Sequence, residues 1–252
     1  MGGSGSADLG GNVAIVTGGA RGIGRDIVLR LAAAGCRVAI NCNASVSEAA
    51  ELADRLAAGG SEAIVLPGSI ADPATAPMLA ERTLERFGRI DILINNAGIT
   101  RDTTMRRMTD EQFGEVVETN LIGTHRVTKA VLEPMCERGH GRIVSISSFV
   151  GQLGNYGQAN YAATKGGLIA WTKTLAYEVA RHGVTVNCVC PGFIDTDMLR
   201  GVPEHVLERL LARIPLGRFG DPDEIARGVV YLVRDGGYIT GTCLNINGGL
   251  YM

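Results

Sequence analysis

The sequence predicts an α/β fold, a doubly wound parallel sheet of about seven strands with helices on both faces. Short β-branched runs alternate with longer Ala- and Leu-rich segments of helical period, which is the pattern of βαβ units. The runs VAIV, DILI and RIVSI are nearly continuous apolar segments, as expected when helices cover both faces of a sheet. No Pro- and Ser-rich linker or charge block interrupts residues 10–252, so we expect them to form a single domain.

The individual elements follow from this alternation. Residues 1–9 are Gly- and Ser-rich and predict a flexible N-terminal extension. We expect helices between strands near residues 13–16, 37–41, 63–66, 90–94, 142–145, 184–189 and 243–246. Residues 191–218 break the alternation and contain a helical stretch near 204–213. Because ligands bind outside the carboxyl ends of such strands, this segment is predicted to be a substrate lid, with an ordinary surface excursion as the alternative.

Composition and charge exclude several classes of protein. The 252 residues are 46% hydrophobic and 20% charged, which favours a packed core over disorder. The net charge is -2 and the Lys and Arg residues are scattered, which argues against a nucleic-acid partner. No apolar run has membrane-spanning length and no signal-peptide layout begins the chain, so we expect a soluble, cytoplasmic protein without a membrane partner.

The six cysteines predict packing rather than a metal site. Five of them lie in apolar or strand-like surroundings, where a thiol behaves as a small hydrophobic group. Cys188 and Cys190 share one face of a predicted strand, but no second pair and no histidine cluster has metal-ligand spacing. No bound metal is therefore predicted.

The first strand runs into a glycine turn that predicts dinucleotide binding. Residues 17–24 read Thr-Gly-Gly-Ala-Arg-Gly-Ile-Gly and lead directly into a helical segment. Glycines permit positive φ and a close backbone approach to a pyrophosphate, while the helix N-terminus offers free N–H groups. Glycines also close turns for structural reasons alone, so the prediction depends on the position of this motif in the first βα turn.

The residues after the second strand predict NADPH as the cofactor. NAD-selective folds place an acidic residue there, against the ribose 2′-hydroxyl, whereas residues 40–43 read Ile-Asn-Cys-Asn. Arg21 is the candidate to bind a 2′-phosphate instead, assisted by Asn43 and the Ala20 amide. The alternative is that Arg21 is a solvated turn residue.

Tyr161 and Lys165 predict an acid–base pair. They are four residues apart at the start of a helical segment that extends to about residue 182, so they lie one turn apart on one face. An adjacent ammonium stabilises a phenolate, so we expect Lys165 to lower the pKa of Tyr161. Ser148, at the end of the fifth strand, is a candidate hydrogen-bond partner for the same substrate oxygen. Taken singly, these residues have structural alternatives, such as a surface pair or a turn cap.

Together these motifs resemble the short-chain dehydrogenase/reductase superfamily from residue 10 to the end. The shared features are the T-G-x-x-x-G-x-G turn, Asn95-Asn96-Ala97-Gly98, Asn120 in a long helix, Ser148, Tyr161-Ala162-Ala163-Thr164-Lys165, Pro191-Gly192 and Asn247-Gly248-Gly249. The resemblance implies a Rossmann-like domain with Asn120, Ser148, Tyr161 and Lys165 as its catalytic residues. Tyr161 would protonate a substrate carbonyl oxygen, Lys165 would also hold the nicotinamide ribose, and Asn120 would position a water that links Lys165 to solvent.

The resemblance also implies the cofactor contacts. The residues at matching positions are Gly18, Ala20, Arg21, Gly22, Ile23, Gly24, Asn43, Ser69, Ile70, Asn96, Ala97, Gly98, Tyr161, Lys165, Pro191, Gly192, Ile194 and Thr196. Many members carry an Asp against the adenine, where this chain reads Gly68-Ser69-Ile70. The adenine contact is therefore expected to differ.

Within the superfamily the chain is most similar to β-ketoacyl-acyl carrier protein reductases and acetoacetyl-CoA reductases. The similarity lies in residues 95–102, 157–161, 191–198 and 247–252. It implies NADPH-dependent reduction of a 3-oxoacyl thioester to the 3-hydroxyacyl thioester, in fatty-acid, polyketide or polyhydroxyalkanoate-type metabolism. Relatives of this kind are usually homotetramers, so the resemblance also implies that assembly.

The thioester carrier is left open by the sequence. An acyl carrier protein is acidic, so its reductase should offer cations beside the active-site entrance, and Arg138 and Arg181 are the candidates. Gly139 and His182 stand where basic docking residues are expected, so a CoA thioester or a polyketide-type ketoacyl chain is retained as an alternative substrate. Two alternatives lie outside this class: a short-chain alcohol, sugar or steroid dehydrogenase, and a catalytically idle nucleotide-binding module.

Overall fold

Seven strands form one sheet in the computed structural model, which describes residues 9–196 and 202–252. They are β1 (Val13–Val16), β2 (Arg37–Cys42), β3 (Ala63–Pro67), β4 (Ile92–Asn95), β5 (Gly141–Ile146), β6 (Val184–Pro191) and β7 (Cys243–Ile246). All neighbouring strands are parallel, in the order β3-β2-β1-β4-β5-β6-β7. The chain therefore winds outward in both directions from β1 and β4, which confirms the predicted doubly wound sheet.

Helices connect these strands. The helices are α1 (Gly22–Ala33), α2 (Val46–Ala58), α3 (Thr75–Phe87), α4 (Asp110–Val117), α5 (Thr124–Glu137), α6 (Val150–Leu153), α7 (Ala159–Val179), α8 (Glu204–Leu211) and α9 (Pro222–Arg234). Within residues 9–196 and 202–252, none is both long and apolar enough to cross a membrane. The strands begin and end within two residues of their predicted bounds. Residues 1–8 of the predicted extension and residues 197–201 of the predicted lid lie outside the described residues.

The core has two layers, because alternate residues of each strand pack on opposite faces of the sheet. On one face, Val16 and Ile94 belong to a buried cluster with α1 and α9. On the other face, Ile15 and Leu93 belong to a buried cluster with α3, α5 and α7. Every residue of β1 and β4 is buried, which explains why these strands read as continuous apolar runs. The carboxyl ends of the strands consequently meet at one edge between the two helical layers.

Asn120 lies, as predicted, in a long helical stretch over residues 110–137, and this stretch contains one wider turn that the sequence did not predict. Glu118–Gly123 form a π-helical turn between α4 and α5, and such turns frequently mark functional sites. The backbone approaches a neighbour closely here, because a Cβ on Gly123 would lie 2.7 Å from the carbonyl oxygen of Ile70. The Thr124 hydroxyl donates to the Asn120 carbonyl at 2.9 Å. A single wider turn leaves no mark in the apolar periodicity, so the sequence does not reveal it.

Candidate active site

The glycine turn after β1 is shaped for a close approach of ligand to backbone. Gly18 and Gly22 have φ values of 62° and 53°, in the left-handed region that favours glycine. A Cβ at Gly24 would lie 2.1 Å from the carbonyl oxygen of Gly18. Ala20 is buried and Ile23 is half-buried within the turn. Because the turn ends at the N-terminus of α1, its free N–H groups and the helix dipole suit a pyrophosphate.

Hydrogen bonds join the glycine turn to the loop after β4. The Thr17 hydroxyl accepts from the amides of Asn96 and Ala97 at 3.0 and 3.1 Å. The Asn96 side-chain amide donates to the carbonyls of Thr17 and Gly18, both at 3.0 Å. The structure thus brings together predicted cofactor residues 18–24 and 96–98. Sequence reasoning missed Thr17, whose place at the start of the T-G motif is the signal for it.

The predicted adenine side of the site lies where β2 and β3 end. Asn43 follows β2 and is exposed, while Ser69 and Ile70 follow β3, with Ile70 buried. The buried Asn41 side chain donates to the Gly68 carbonyl at 2.9 Å and to a carbonyl of β3 at 3.0 Å. Sequence reasoning missed Asn41 as the residue that holds these strand ends together. An amide inside an otherwise apolar strand is the signal that could have identified it.

Arg21 is exposed at the N-cap of α1, beside the glycine turn. It lines a cavity of about 510 Å³ together with Arg25, Arg55 and Glu48. Hydrogen bonds from the backbone amide of Glu48 and from Ser47, with a contribution from the Arg21 charge, lower the pKa of Glu48. The cavity is therefore lined by three arginines that suit a phosphate and by four carboxylates, those of Asp26, Glu48, Glu51 and Asp195.

The segment after β6 returns toward the glycine turn. Gly192 and Ile194 follow Pro191, the last residue of β6, and Ile194 is buried. A Cβ at Gly22 would lie 3.7 Å from Cγ2 of Thr196. Of the predicted cofactor residues after β6, Thr196 is therefore the one that lies next to the glycine turn.

The predicted lid contacts the segment that precedes α7, the helix that carries Tyr161 and Lys165. The Arg213 guanidinium, just beyond α8, lies 5.5 Å from the centre of the Phe193 ring, and it donates to Asn155 Oδ1 at 3.4 Å. Asn155 donates to Gln158 at 3.0 Å, and Gln158 donates to Asp102 at 2.8 Å. These contacts connect residues on both sides of the active-site edge. The function of the segment as a lid stays a prediction.

Ser148, Tyr161 and Lys165 come together at the carboxyl end of β5. Ser148 lies two residues beyond β5, is 7% exposed, and is hydrogen-bonded to Tyr161. Its Oγ also accepts from the Val150 amide at 3.1 Å. Lys165 is buried; its Nζ lies 5.4 Å from the centre of the Tyr161 ring and donates to the Ile146 carbonyl at 2.7 Å. Three of the four predicted catalytic residues thus form one cluster.

Burial decides the pKa values in this cluster. Desolvation raises the pKa of Tyr161 to about 12, although the hydrogen bond with Ser148 acts in the opposite direction. Desolvation also lowers the pKa of Lys165 to about 8. The net pKa shift of Tyr161 is therefore upward, whereas the sequence predicted a lowered pKa, because desolvation of the ring is the largest contribution. Tyr161 is therefore protonated at neutral pH, as a proton donor must be.

Asn120 holds the loop after β4 with its side chain. Its Oδ1 accepts from the Ile99 amide at 2.8 Å, and its Nδ2 donates to the Ile99 carbonyl at 2.9 Å and to Thr164 Oγ1 at 3.4 Å. A Cβ at Gly98 would lie 3.2 Å from Asn120 Oδ1 and 3.6 Å from Lys165 Nζ. Asn120 therefore lies at the same site as the other three, and its role in positioning water stays a prediction.

Asn160 is a further site residue that sequence reasoning missed. Its fully buried side chain accepts from the Tyr161 amide at 2.7 Å and donates to the carbonyls of Arg101 and Gln112 at 3.0 and 3.3 Å. These bonds tie the first turn of α7 to the loop after β4 and to α4. Asn160 therefore fixes the backbone that carries Tyr161, but nothing in its sequence surroundings distinguishes it from an exposed amide.

Arg138 and Arg181 lie far from this cluster within one chain. They follow α5 and α7, at the amino ends of β5 and β6, whereas Ser148 follows the carboxyl end of β5. The six residues of β5 separate the two edges by about 20 Å, at roughly 3.3 Å per residue. Within their own chain these arginines therefore do not lie beside the Ser148 cluster, because the strand places them at the opposite edge of the sheet.

The fold and the site together define a class of protein. A glycine turn after the first strand and a Ser-Tyr-Lys cluster after the fifth, at the same edge of a doubly wound sheet, are the features of nicotinamide-dependent oxidoreductases. The model of the short chain dehydrogenase family matches residues 12–206, and the chain belongs to that family.

Curated relatives are similar over almost the entire chain. One is "3-oxoacyl-[acyl-carrier-protein] reductase FabG" of Escherichia coli (strain K12), 47% identical over 243 residues that cover 96% of this chain and 98% of the relative. The FabG of Pseudomonas aeruginosa is 46% identical over 97% of this chain and 99% of its own length. The FabG of Staphylococcus aureus (strain Mu50) is 41% identical over 95% and 98%, respectively.

Proposed function

We propose that this protein reduces a 3-oxoacyl thioester to the 3-hydroxyacyl thioester with NADPH. The observation that carries the proposal is the cluster of Ser148, Tyr161 and Lys165 at the same sheet edge as the glycine turn. Relatives at 41% to 47% identity over nearly the whole chain are named 3-oxoacyl-[acyl-carrier-protein] reductases, which supports this substrate class.

The site fits a nicotinamide dinucleotide. Position 24 has no room for a Cβ, because that atom would clash with the Gly18 carbonyl oxygen. A pyrophosphate can therefore approach the backbone N–H groups of the turn without a side chain in between. When bound, the cofactor supplies the hydride that the carbonyl carbon accepts. Tyr161 donates its phenolic proton to the carbonyl oxygen, Ser148 hydrogen-bonds the same oxygen, and the charge of Lys165 stabilises the phenolate that remains.

NADPH is the proposed form of the cofactor. Arg21 is exposed at the edge of the glycine turn, where a guanidinium suits a 2′-phosphate. No carboxylate occupies residues 40–43, where NAD-selective folds place one. Four carboxylates line the same cavity, and the charges of Arg21, Arg25 and Arg55 partly offset their repulsion of a phosphate.

The proposed thioester carrier is acyl carrier protein or CoA. The names of the relatives support the acyl carrier protein. Arg138 and Arg181 remain candidate docking residues only if an assembly brings them to a neighbouring chain's active site, since both lie at the opposite edge within their own chain. Gly139 and His182 favour CoA as the second candidate. We further propose that residues 10–252 form one domain and that the protein is a cytoplasmic homotetramer. Light scattering of the purified protein tests the tetrameric state.

The first experiment is the initial rate of NADPH oxidation with acetoacetyl-CoA and with acetoacetyl-acyl carrier protein, and with NADH in parallel. We expect turnover that prefers NADPH and falls about 10²- to 10⁴-fold in Tyr161→Phe, because that variant lacks the general acid. Tyr177→Phe is the matched control, since Tyr177 lies on the same helix and is exposed.

Each alternative predicts a different result. A wild-type protein that binds NADPH but reduces neither thioester, while reducing a simple ketone or sugar, would be an alcohol, sugar or steroid dehydrogenase. A protein that binds NADPH and reduces none of these would be the idle nucleotide-binding module.

A further inference from the structure

Three cysteines meet between β6 and β7, an arrangement that only the sheet pairing creates. Cys188 and Cys190 lie on one face of β6, and Cys243 is the register partner of Cys188 in β7. The three sulfur atoms lie within 4.8 Å of one another, with the Sγ atoms of Cys188 and Cys243 3.2 Å apart. These three residues are called the thiol cluster below.

The spacing of the thiol cluster suits a single metal ion. An ion bound by thiolates at about 2.3 Å keeps three sulfurs about 4 Å apart. The closest pair, Cys188 and Cys243, must open from 3.2 Å by about 0.8 Å, and no two sulfurs are more than 4.8 Å apart, so changes of under about 1 Å bring all three to that spacing. Because Cys188 and Cys190 belong to β6, an eight-residue strand paired with both β5 and β7, the backbone that carries them is fixed before any ion arrives.

Solvent can reach one member of the thiol cluster. Cys188 and Cys190 are buried and Cys243 is half-buried, which leaves a route from solvent to one ligand. An ion can therefore enter beside Cys243 and be enclosed by the two buried sulfurs of β6.

We propose that Cys188, Cys190 and Cys243 bind one soft metal ion of the Cu(I) type. Three sulfurs without an imidazole or a carboxylate are the ligand set that soft ions select, and Cu(I) accepts three of them. Zn²⁺ is the less suitable ion, because structural zinc takes four protein ligands and the described residues supply three here. Each thiol that is still protonated loses its proton to solvent as its metal–sulfur bond forms, with no change in oxidation state.

This inference is independent of the proposed reductase activity, and its test does not use turnover. Fully reduced protein is titrated anaerobically with Cu(I) in competition with a chromophoric Cu(I) chelator. We expect one tightly bound Cu(I) per chain, and a loss of affinity of at least about tenfold in Cys243→Ser, since one of three soft ligands is replaced by a hard one. Cys136→Ser is the matched control, because Cys136 is half-buried on α5 and lies outside the thiol cluster.

Folding is checked separately, because Cys188 and Cys190 are buried. Cys243 is half-buried, so its replacement disturbs the core less than replacement of Cys188 or Cys190. We therefore expect the circular dichroism and the NADPH binding of Cys243→Ser to match those of the wild type. Equal Cu(I) affinity in the wild type and in folded Cys243→Ser would overturn the site. An equal loss in Cys136→Ser would do the same, and tighter binding of Zn²⁺ than of Cu(I) would overturn the assignment of the ion.

Discussion

The glycine turn after β1 and the cluster of Ser148, Tyr161 and Lys165 after β5 lie at the same edge of the sheet but are built differently. The turn exposes backbone and leaves no room for side chains, since a Cβ at Gly24 would lie 2.1 Å from the Gly18 carbonyl. The cluster consists of side chains whose pKa values burial shifts, Tyr161 to about 12 and Lys165 to about 8. We therefore expect substitutions that add atoms to disrupt the turn, and substitutions that remove a side-chain group to disrupt the cluster.

The largest expected effect is at the cluster. Ser148→Ala removes the hydroxyl that bonds Tyr161 and is proposed to hold the substrate oxygen. We expect kcat to fall about 10²- to 10³-fold, the loss typical of one donor to a developing oxyanion, while NADPH binding stays the same. Steady-state kinetics and fluorescence titration of NADPH measure the two quantities. An equal loss of NADPH affinity would show that the two regions are not separable in this way.

The next effect is at the turn. Gly24→Ala forces the Gly18 carbonyl and the Asn96 side chain to move, because the new Cβ would lie 2.1 Å from one and 2.5 Å from the other. Such overpacking costs about 1–3 kcal/mol, so we expect NADPH affinity to fall about 10- to 100-fold and the melting temperature to decrease. Gly114→Ala on α4 is the control, since a Cβ there meets nothing within 4 Å. A Gly24→Ala protein that binds NADPH normally would contradict the proposed close approach.

A smaller effect is expected at the rim of the turn. Arg21→Ala removes the proposed 2′-phosphate contact, so we expect the affinity for NADPH to fall about tenfold and that for NADH to stay the same, in line with one charge-assisted hydrogen bond. Arg25→Ala is the matched control, because Arg25 is exposed and lines the same cavity. Equal losses for both cofactors would make Arg21 a structural residue of the turn.

The smallest effect is on the pH dependence of the cluster. The pKa of Lys165 is lowered to about 8 and that of Tyr161 is raised to about 12, so both groups are largely protonated at neutral pH. We expect the rate of carbonyl reduction to be level below about pH 7 and to fall to half its maximum near the pKa of Lys165, where half of its charge is lost. A pH–rate profile with saturating substrates measures this. A rate that stays level to pH 10 would show that the Lys165 charge is not needed.

Several features of this protein follow from the sequence by itself. The alternation of apolar runs and helical segments determines the doubly wound sheet, because each strand of β1 and β4 is buried on both faces. The glycine turn and the Tyr161-Lys165 spacing each involve residues that are close in the chain, so the sequence alone determines their geometry. The family follows from these same motifs.

Other features were decided only by the tertiary structure, because they depend on contacts between distant residues. The hydrogen bonds between the Asn120 side chain and the Ile99 backbone join residues 21 positions apart, and the bond from the Asn95 side chain to Thr128 joins residues 33 positions apart. The sign of the Tyr161 pKa shift depends on how deeply the ring is buried, which spacing does not reveal. Cys243 reaches Cys188 across 55 positions through the pairing of β6 with β7, so a pair of cysteines in the sequence becomes a cluster of three in the fold.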